Sequence, residues 1–103
     1  MKQYVGDRTI DGIQVTVDGA PLPQCTEIAQ YSENGFEWSY EGESPLQLAL
    51  ALLVDHLGDA EAAKASAKPF MRAVVANFNN DWEMNSSDID LALTALKTDG
   101  KAA

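Results

Sequence analysis

The chain has 103 residues, 46% of them hydrophobic and 22% charged, which suits one small domain with a single core. Sixteen acids against seven bases leave a net charge of −9, which repels phosphate backbones and anionic headgroups and so excludes a conventional DNA, RNA or membrane-surface binder. One Cys and one His exclude an intrachain disulfide and fall short of a Cys/His zinc site.

Residues 3 to 18 read as a hairpin. Tyr4 and Val5 head its first strand, Asp7 to Gly12 turn, and Ile13, Val15 and Val17 alternate with Gln14, Thr16 and Asp18. Asp11-Gly12 and Asp18-Gly19 are turn dipeptides. Ala20 to Gln24 contains two Pro and is expected to be an extended connection, because a proline cannot donate to a central ladder. Cys25 to Tyr31 suits a short strand or a helical turn, and local propensity does not choose between them. In Phe36 to Glu43 the aromatics Phe36, Trp38 and Tyr40 alternate with Glu37, Ser39 and Glu41, which predicts a strand with its rings inward and its acids outward.

Ser44-Pro45-Leu46-Gln47 has the spacing of a capping box with Pro at the first helical position. Leu46 to Val54 is apolar almost all round, which predicts a deeply buried helix stopped by a left-handed Gly58. Asp59 is placed to cap a second helix through Ala67, and Lys68-Pro69 predicts a kink or break. Phe70, Val74 and Phe78 then form an inward stripe at i, i+4, i+8, ended by Asn77 to Asp81. Trp82 and Met84 are a short apolar pair. Ser86-Ser87-Asp88 is expected to cap a final helix with Ile89, Ala92, Leu93 and Leu96 on one face, followed by a frayed tail over 98–103.

Three or four strands followed by helices, without βα alternation, predict an α+β domain: a small antiparallel sheet with helices packed on one face. The reading is one domain over 1–103, sheet-rich in 1–43 and helical in 44–97. Residues 1–57 hold nine acids and two bases, so the acidity belongs mostly to the sheet half.

Catalytic signals are weak. Cys25 and His56 could pair in principle, but nothing local makes the thiol electropositive. Asp55, His56 and Asp59 match no strong metal motif, the glycines form no phosphate loop, and Asp81-Trp82-Glu83 and Asp88-Ile89-Asp90 lack calcium-loop spacing. The chain is therefore read as no enzyme, with no cofactor and no metal. The distinctive chemistry is the acid row Glu37, Glu41 and Glu43, with Glu33 just before it. Carboxylates two strand residues apart would resemble the repeated charge of a nucleic-acid backbone and could fill a Lys/Arg groove. The bland alternative is a solvated strand face that resists aggregation.

Gly35-Phe36-Glu37-Trp38, Tyr40, Pro45 and Leu48 to Leu53, with Tyr4-Val5-Gly6 and Trp82, resemble a family of short bacterial and phage proteins of unknown function, and the likeness covers most of the chain. It implies a shared fold and carries no catalytic residues. The chain departs from the family pattern at Ser39, Glu41, Glu43 and Ser44, and two of these departures add acid. By looser analogy of size and charge, the chain is similar to small acidic phage inhibitors of the anti-CRISPR type.

Together these features predict a cytoplasmic binding protein whose Glu33, Glu37, Glu41 and Glu43 engage the basic surface of a nucleic-acid-handling protein such as a Cas effector, without direct contact to nucleic acid or membrane. A homodimer fits the same sequence. The alternative is a structural or assembly module that homo-oligomerises.

Overall fold

The computed structural model describes residues 2–102, with side chains through Lys97. Among the described residues, four antiparallel strands lie in the order β3-β2-β1-β4: β1 (Gln3–Thr9), β2 (Gly12–Val17), β3 (Ala20–Pro21) and β4 (Trp82–Asn85). Three helices follow or interrupt them: α1 (Glu43–Leu57), α2 (Ala60–Ala73) and α3 (Ser86–Ala102). The fold is α+β, as the patterning predicts.

β1 and β2 pair from Tyr4↔Val17 to Thr9↔Gly12, so only Ile10 and Asp11 turn, and Asp7 to Thr9 belong to the strand. The Asp18-Gly19 turn has φ of 50° and 85°, the pair of left-handed residues that suits a two-residue hairpin. It delivers Ala20 and Pro21 to the sheet edge, where Pro21 lies opposite Thr16 and its missing donor is not needed by β2. The fourth strand comes from the helical half. Trp82 and Met84 alternate with Glu83 and Asn85, and they pair with Gly6 and Tyr4 of β1.

The segment expected to be a strand over Phe36 to Tyr40 is not one. β4 occupies the place beside β1, β3 pairs with β2 at Thr16 and Val17, and the segment joins neither ladder. Ser39 sits at φ 78°, which an extended strand does not allow. Its backbone N–H donates to Val75 O at 3.1 Å and its Oγ to Phe78 O at 2.5 Å, so the segment is anchored like a strap instead of paired. The rings do not share a face. Trp38 is fully buried, Phe36 is half-buried and Tyr40 is 49% exposed.

α1 is buried as expected: Gln47 to Leu53 have no exposed surface. Its start differs. No side chain caps it; Ser44 Oγ bonds Ser32 Oγ at 2.7 Å, and Gln47 turns inward. The Gln47 amide uses all of its hydrogen-bonding capacity on the loop before it. Oε1 accepts from Tyr31 N (2.7 Å) and Ser32 N (3.3 Å), while Nε2 donates to Gln24 O (2.7 Å) and Ala29 O (3.0 Å). Residues 25–31, left open by propensity, contain a turn closed by Ile28 N to Cys25 O and are held by this one side chain.

Gly58 ends α1 at φ 67°, and Asp59 caps α2 through Glu61 N and Ala62 N. α2 runs unbroken through Pro69. The ring is on the exposed side, where water can take the carbonyl of Ala65 that loses its donor. The helix ends at Ala73, a 3₁₀ turn covers Val75–Asn77, and Phe78 is extended, so the Phe70–Val74–Phe78 stripe is not continuous helix. The cap of α3 is Asn85, one residue earlier than expected. Asn85 Oδ1 accepts from Asp88 N and Asp88 Oδ2 from Asn85 N, both at 3.0 Å. The backbone of α3 runs to Ala102; the side chains after Lys97 and the last residue of the expected frayed tail over 98–103 lie outside the described residues.

Candidate functional site

Alternation along β1 sends Tyr4, Gly6 and Arg8 to the core side of the sheet and Val5 and Asp7 to the outer side. Their cross-strand partners share those faces. Ile13, Val15, Val17, Trp82 and Met84 therefore stand with the core set, and Gln14, Thr16 and Glu83 with the outer set.

On the core side the charged groups are matched internally, although the buried Trp82 Nε1 has no hydrogen-bond partner among the described residues. Tyr4 is fully buried and donates its phenol proton to Asp55 Oδ2 at 2.7 Å; Lys2 Nζ reaches the same oxygen at 3.1 Å. Burial first, then the Asp55 carboxylate, pushes the Tyr4 phenol well above its ordinary range. Arg8 donates to Asn80 Oδ1 (2.6 Å), Glu37 Oε1 (2.5 Å) and Trp38 O (2.7 Å), and its guanidinium carbon lies 4.8 Å from the Trp38 ring centroid. Trp38 meets Trp82 edge to face with centroids 5.8 Å apart, and Phe78 stacks on Trp82 at 4.2 Å. Gly6 is what lets Trp82 cross β1: a Cβ there would fall 2.3 Å from Trp82 Nε1 and Cε2.

This arrangement dissolves the acid row. Glu37 is half-buried, tied to Arg8 and to its own neighbour Trp38 N at 3.0 Å. Glu41 is exposed, 3.4 Å from Arg72 Nε. Glu43 opens α1, and only it and Glu33 come together, on a depression of about 320 Å³ with Ser32 and Asn34. The two-residue repeat that would match a phosphate ladder is absent because the strand that would space it is absent.

A different set of carboxylates converges on the outer side. Asp7 of β1, Glu83 of β4 and Asp81 just before it line a broad concavity of about 640 Å³, together with Asn77, Asn79 and the edges of Phe78 and Trp82. No Lys, Arg or His lines it, and none of the three acids has an ion pair or side-chain hydrogen bond among the described residues. Carboxylates on one concave wall add their fields, and the low-dielectric sheet behind them directs that field outward. The sequence alone does not reveal this set, because Asp7 reads as part of a turn and Asp81 as a helix end. The period-two pattern over Trp82 to Asn85 was the available signal.

The weaker catalytic pairings go elsewhere. Cys25 Sγ contacts Pro23 O at 3.7 Å, and burial, then the charges of Glu27 and Asp55, raises its thiol pKa, which disfavours the nucleophilic thiolate. His56 Nε2 lies 2.6 Å from Asp90 Oδ1. Asp55 holds Tyr4 and Asp59 caps α2, so these residues do not share a ligand position. Among the described residues no group of three or more His, Cys, Asp or Glu could hold a metal ion. No helix among them is long and apolar enough to cross a membrane.

A family model described as a family of unknown function, DUF6166, matches residues 4–95, so the chain belongs to that family. No curated protein and no solved structure matches the chain.

Proposed function

We propose that this DUF6166 member works without catalysis, as an acidic docking protein that receives a Lys/Arg-rich surface on the outer side of its sheet. One observation carries the reading: Asp7, Asp81 and Glu83 converge on a concavity that contains no basic side chain, while the acids of the core side are neutralised from within. The partner class is a protein that handles nucleic acid, since its basic groove is built for repeated negative charge. A host-defence complex such as a Cas effector, blocked in the anti-CRISPR manner, is the finer form of this proposal. Glu33 and Glu43 form a second, smaller acidic contact; Glu37 is a structural residue in this reading, and Glu41 a peripheral one.

The test is binding of the purified protein to a Cas effector across a salt series, with DNA as competitor. Affinity is expected to fall steeply with salt and to be lost on combining Asp7→Lys, Asp81→Lys and Glu83→Lys. Glu33→Lys with Glu43→Lys should weaken it less. Binding that ignores salt and all five reversals would overturn the proposal.

A second reading, self-assembly, is favoured by a groove of about 570 Å³ between α2 and α3, lined by Leu57, Ala62, Pro69, Leu93 and Leu96. Light scattering decides it: a salt-insensitive oligomer supports assembly through this groove, and a monomer removes it.

A further inference from the structure

β2 is an outer strand for part of its length. β3 pairs with it only at Thr16 and Val17, and Leu22 N adds one bond to Val15 O at 3.0 Å. In an antiparallel strand the N–H and C=O of one residue point to the same side, and successive residues point to opposite sides. Asp18 N bonds Gln3 O in β1, so Asp18, Thr16, Gln14 and Gly12 face β1, whereas Val17, Val15 and Ile13 face away from it. The amide and carbonyl of Ile13 therefore project from the sheet beyond the end of β3. Neither has a partner among the described residues.

Exposed sheet edges are commonly protected by Pro, by a charged residue or by a bulge. β3 carries Pro21 and the far edge of the sheet carries Glu83. The stretch Gly12-Ile13-Gln14-Val15 has none of these, and Ile13 is 37% exposed. Beside it is a slot of about 380 Å³ with Ile13 and Val15 on one wall and Gln24, Asn34, Gly35 and Phe36 on the other. Unpaired backbone groups next to a pocket for side chains are the two parts of a strand-addition site: the ladder supplies affinity and the pocket supplies selectivity.

We infer that the β2 edge at Ile13 receives an extended segment of a partner protein in which apolar and basic residues alternate. The guest residue opposite Ile13 shares its face, so it enters the slot against Phe36 and must be apolar. The intervening guest residues stand on the outer side of the sheet, beside Gln14 and about two strand spacings, ~10 Å, from Asp7. Long basic side chains there extend toward the acidic concavity. Charge also selects against a second copy of this chain, because joining two chains of net charge −9 edge to edge brings like charges together. The basic half of the guest pattern rests on the proposed function; the edge pairing does not.

The experiment uses the full chain and a short peptide alternating Lys and Val, with amide hydrogen exchange read by NMR. The Ile13 amide is expected to exchange about tenfold more slowly, or slower still, at saturating peptide. Ile13→Pro removes the outward donor without touching the β1 ladder and should abolish binding; Ile13→Val should retain it. If Ile13→Pro does not fold, the exchange measurement on the unaltered protein decides alone. Peptide binding that leaves Ile13 exchange unchanged overturns the inference, as does concentration-dependent protection of Ile13 without peptide, which would mean a second copy. Binding that survives Ile13→Pro but is lost with Asp7→Lys, Asp81→Lys and Glu83→Lys ends the edge inference and leaves acidic docking standing. Binding lost in Ile13→Pro yet indifferent to salt and to that triple change keeps the edge and ends acidic docking.

Discussion

The core side and the outer side of the sheet are made from alternate residues of the same strands, yet they treat charge in opposite ways. Inward, Arg8 is matched by Glu37 and Asn80, and Asp55 by Tyr4 and Lys2. Outward, Asp7 and Glu83 lie on adjacent strands, and no basic side chain lines the concavity they share. An unpaired charge is costly where water is excluded and nearly free where water remains. Only the outer side can hold unmatched carboxylates without loss of stability, so that is where charge remains available to another molecule.

The comparison breaks most easily at Gln47. Gln47→Leu keeps the volume but leaves two backbone N–H and two C=O groups of residues 24–32 without partners. A loss of about 4 kcal/mol is expected in urea unfolding. A loss under about 1 kcal/mol would mean that the loop is not held by this amide. Gly6→Ala comes next, at about 2 kcal/mol, because its methyl must displace the Trp82 ring. Near-UV circular dichroism should register the ring shift.

Tyr4→Phe should cost about 1 kcal/mol near neutral pH through the lost bond to Asp55. It also carries a signed pH effect. The folded state raises the phenol pKa, so the unfolded chain ionises first; this contribution is complete below about pH 10 and is lost as pH climbs through the raised value. The unaltered protein should therefore lose stability above about pH 10 more steeply than Tyr4→Phe, and parallel curves would refute the assignment. The smallest effect belongs to the outer side. Asp7→Lys or Glu83→Lys should change stability by no more than about 0.5 kcal/mol, although each alters binding to a basic partner. A large destabilisation there would mean that these carboxylates have a structural role and would erase the contrast between the faces.

Much of the scaffold was readable residue by residue. The alternation through Ile13, Val15 and Val17, the Asp18-Gly19 turn, the all-round apolar run of α1, Gly58 and the Asp59 cap are local signals that tertiary contacts did not override. The aromatic-acid segment failed because its period of two is a necessary sign of a strand and not a sufficient one. A strand needs a neighbour with free hydrogen-bonding groups, and β4, contributed from residues 82–85, had taken that place beside β1. The candidate site shifted for the same reason. Glu37 was drawn to Arg8, and Asp7 and Glu83 became neighbours across a ladder that joins positions far apart in the chain.

Composition and local pattern alone determined a small α+β domain, its strong negative charge and most of its turns and caps, since these depend on residues within a few positions of one another. Which carboxylates are neutralised, which converge on a surface and which strand edge stays unpaired were decided only on folding. Those outcomes depend on long-range pairing, and each backbone or charged group that finds an internal partner withdraws that partner from every other claimant.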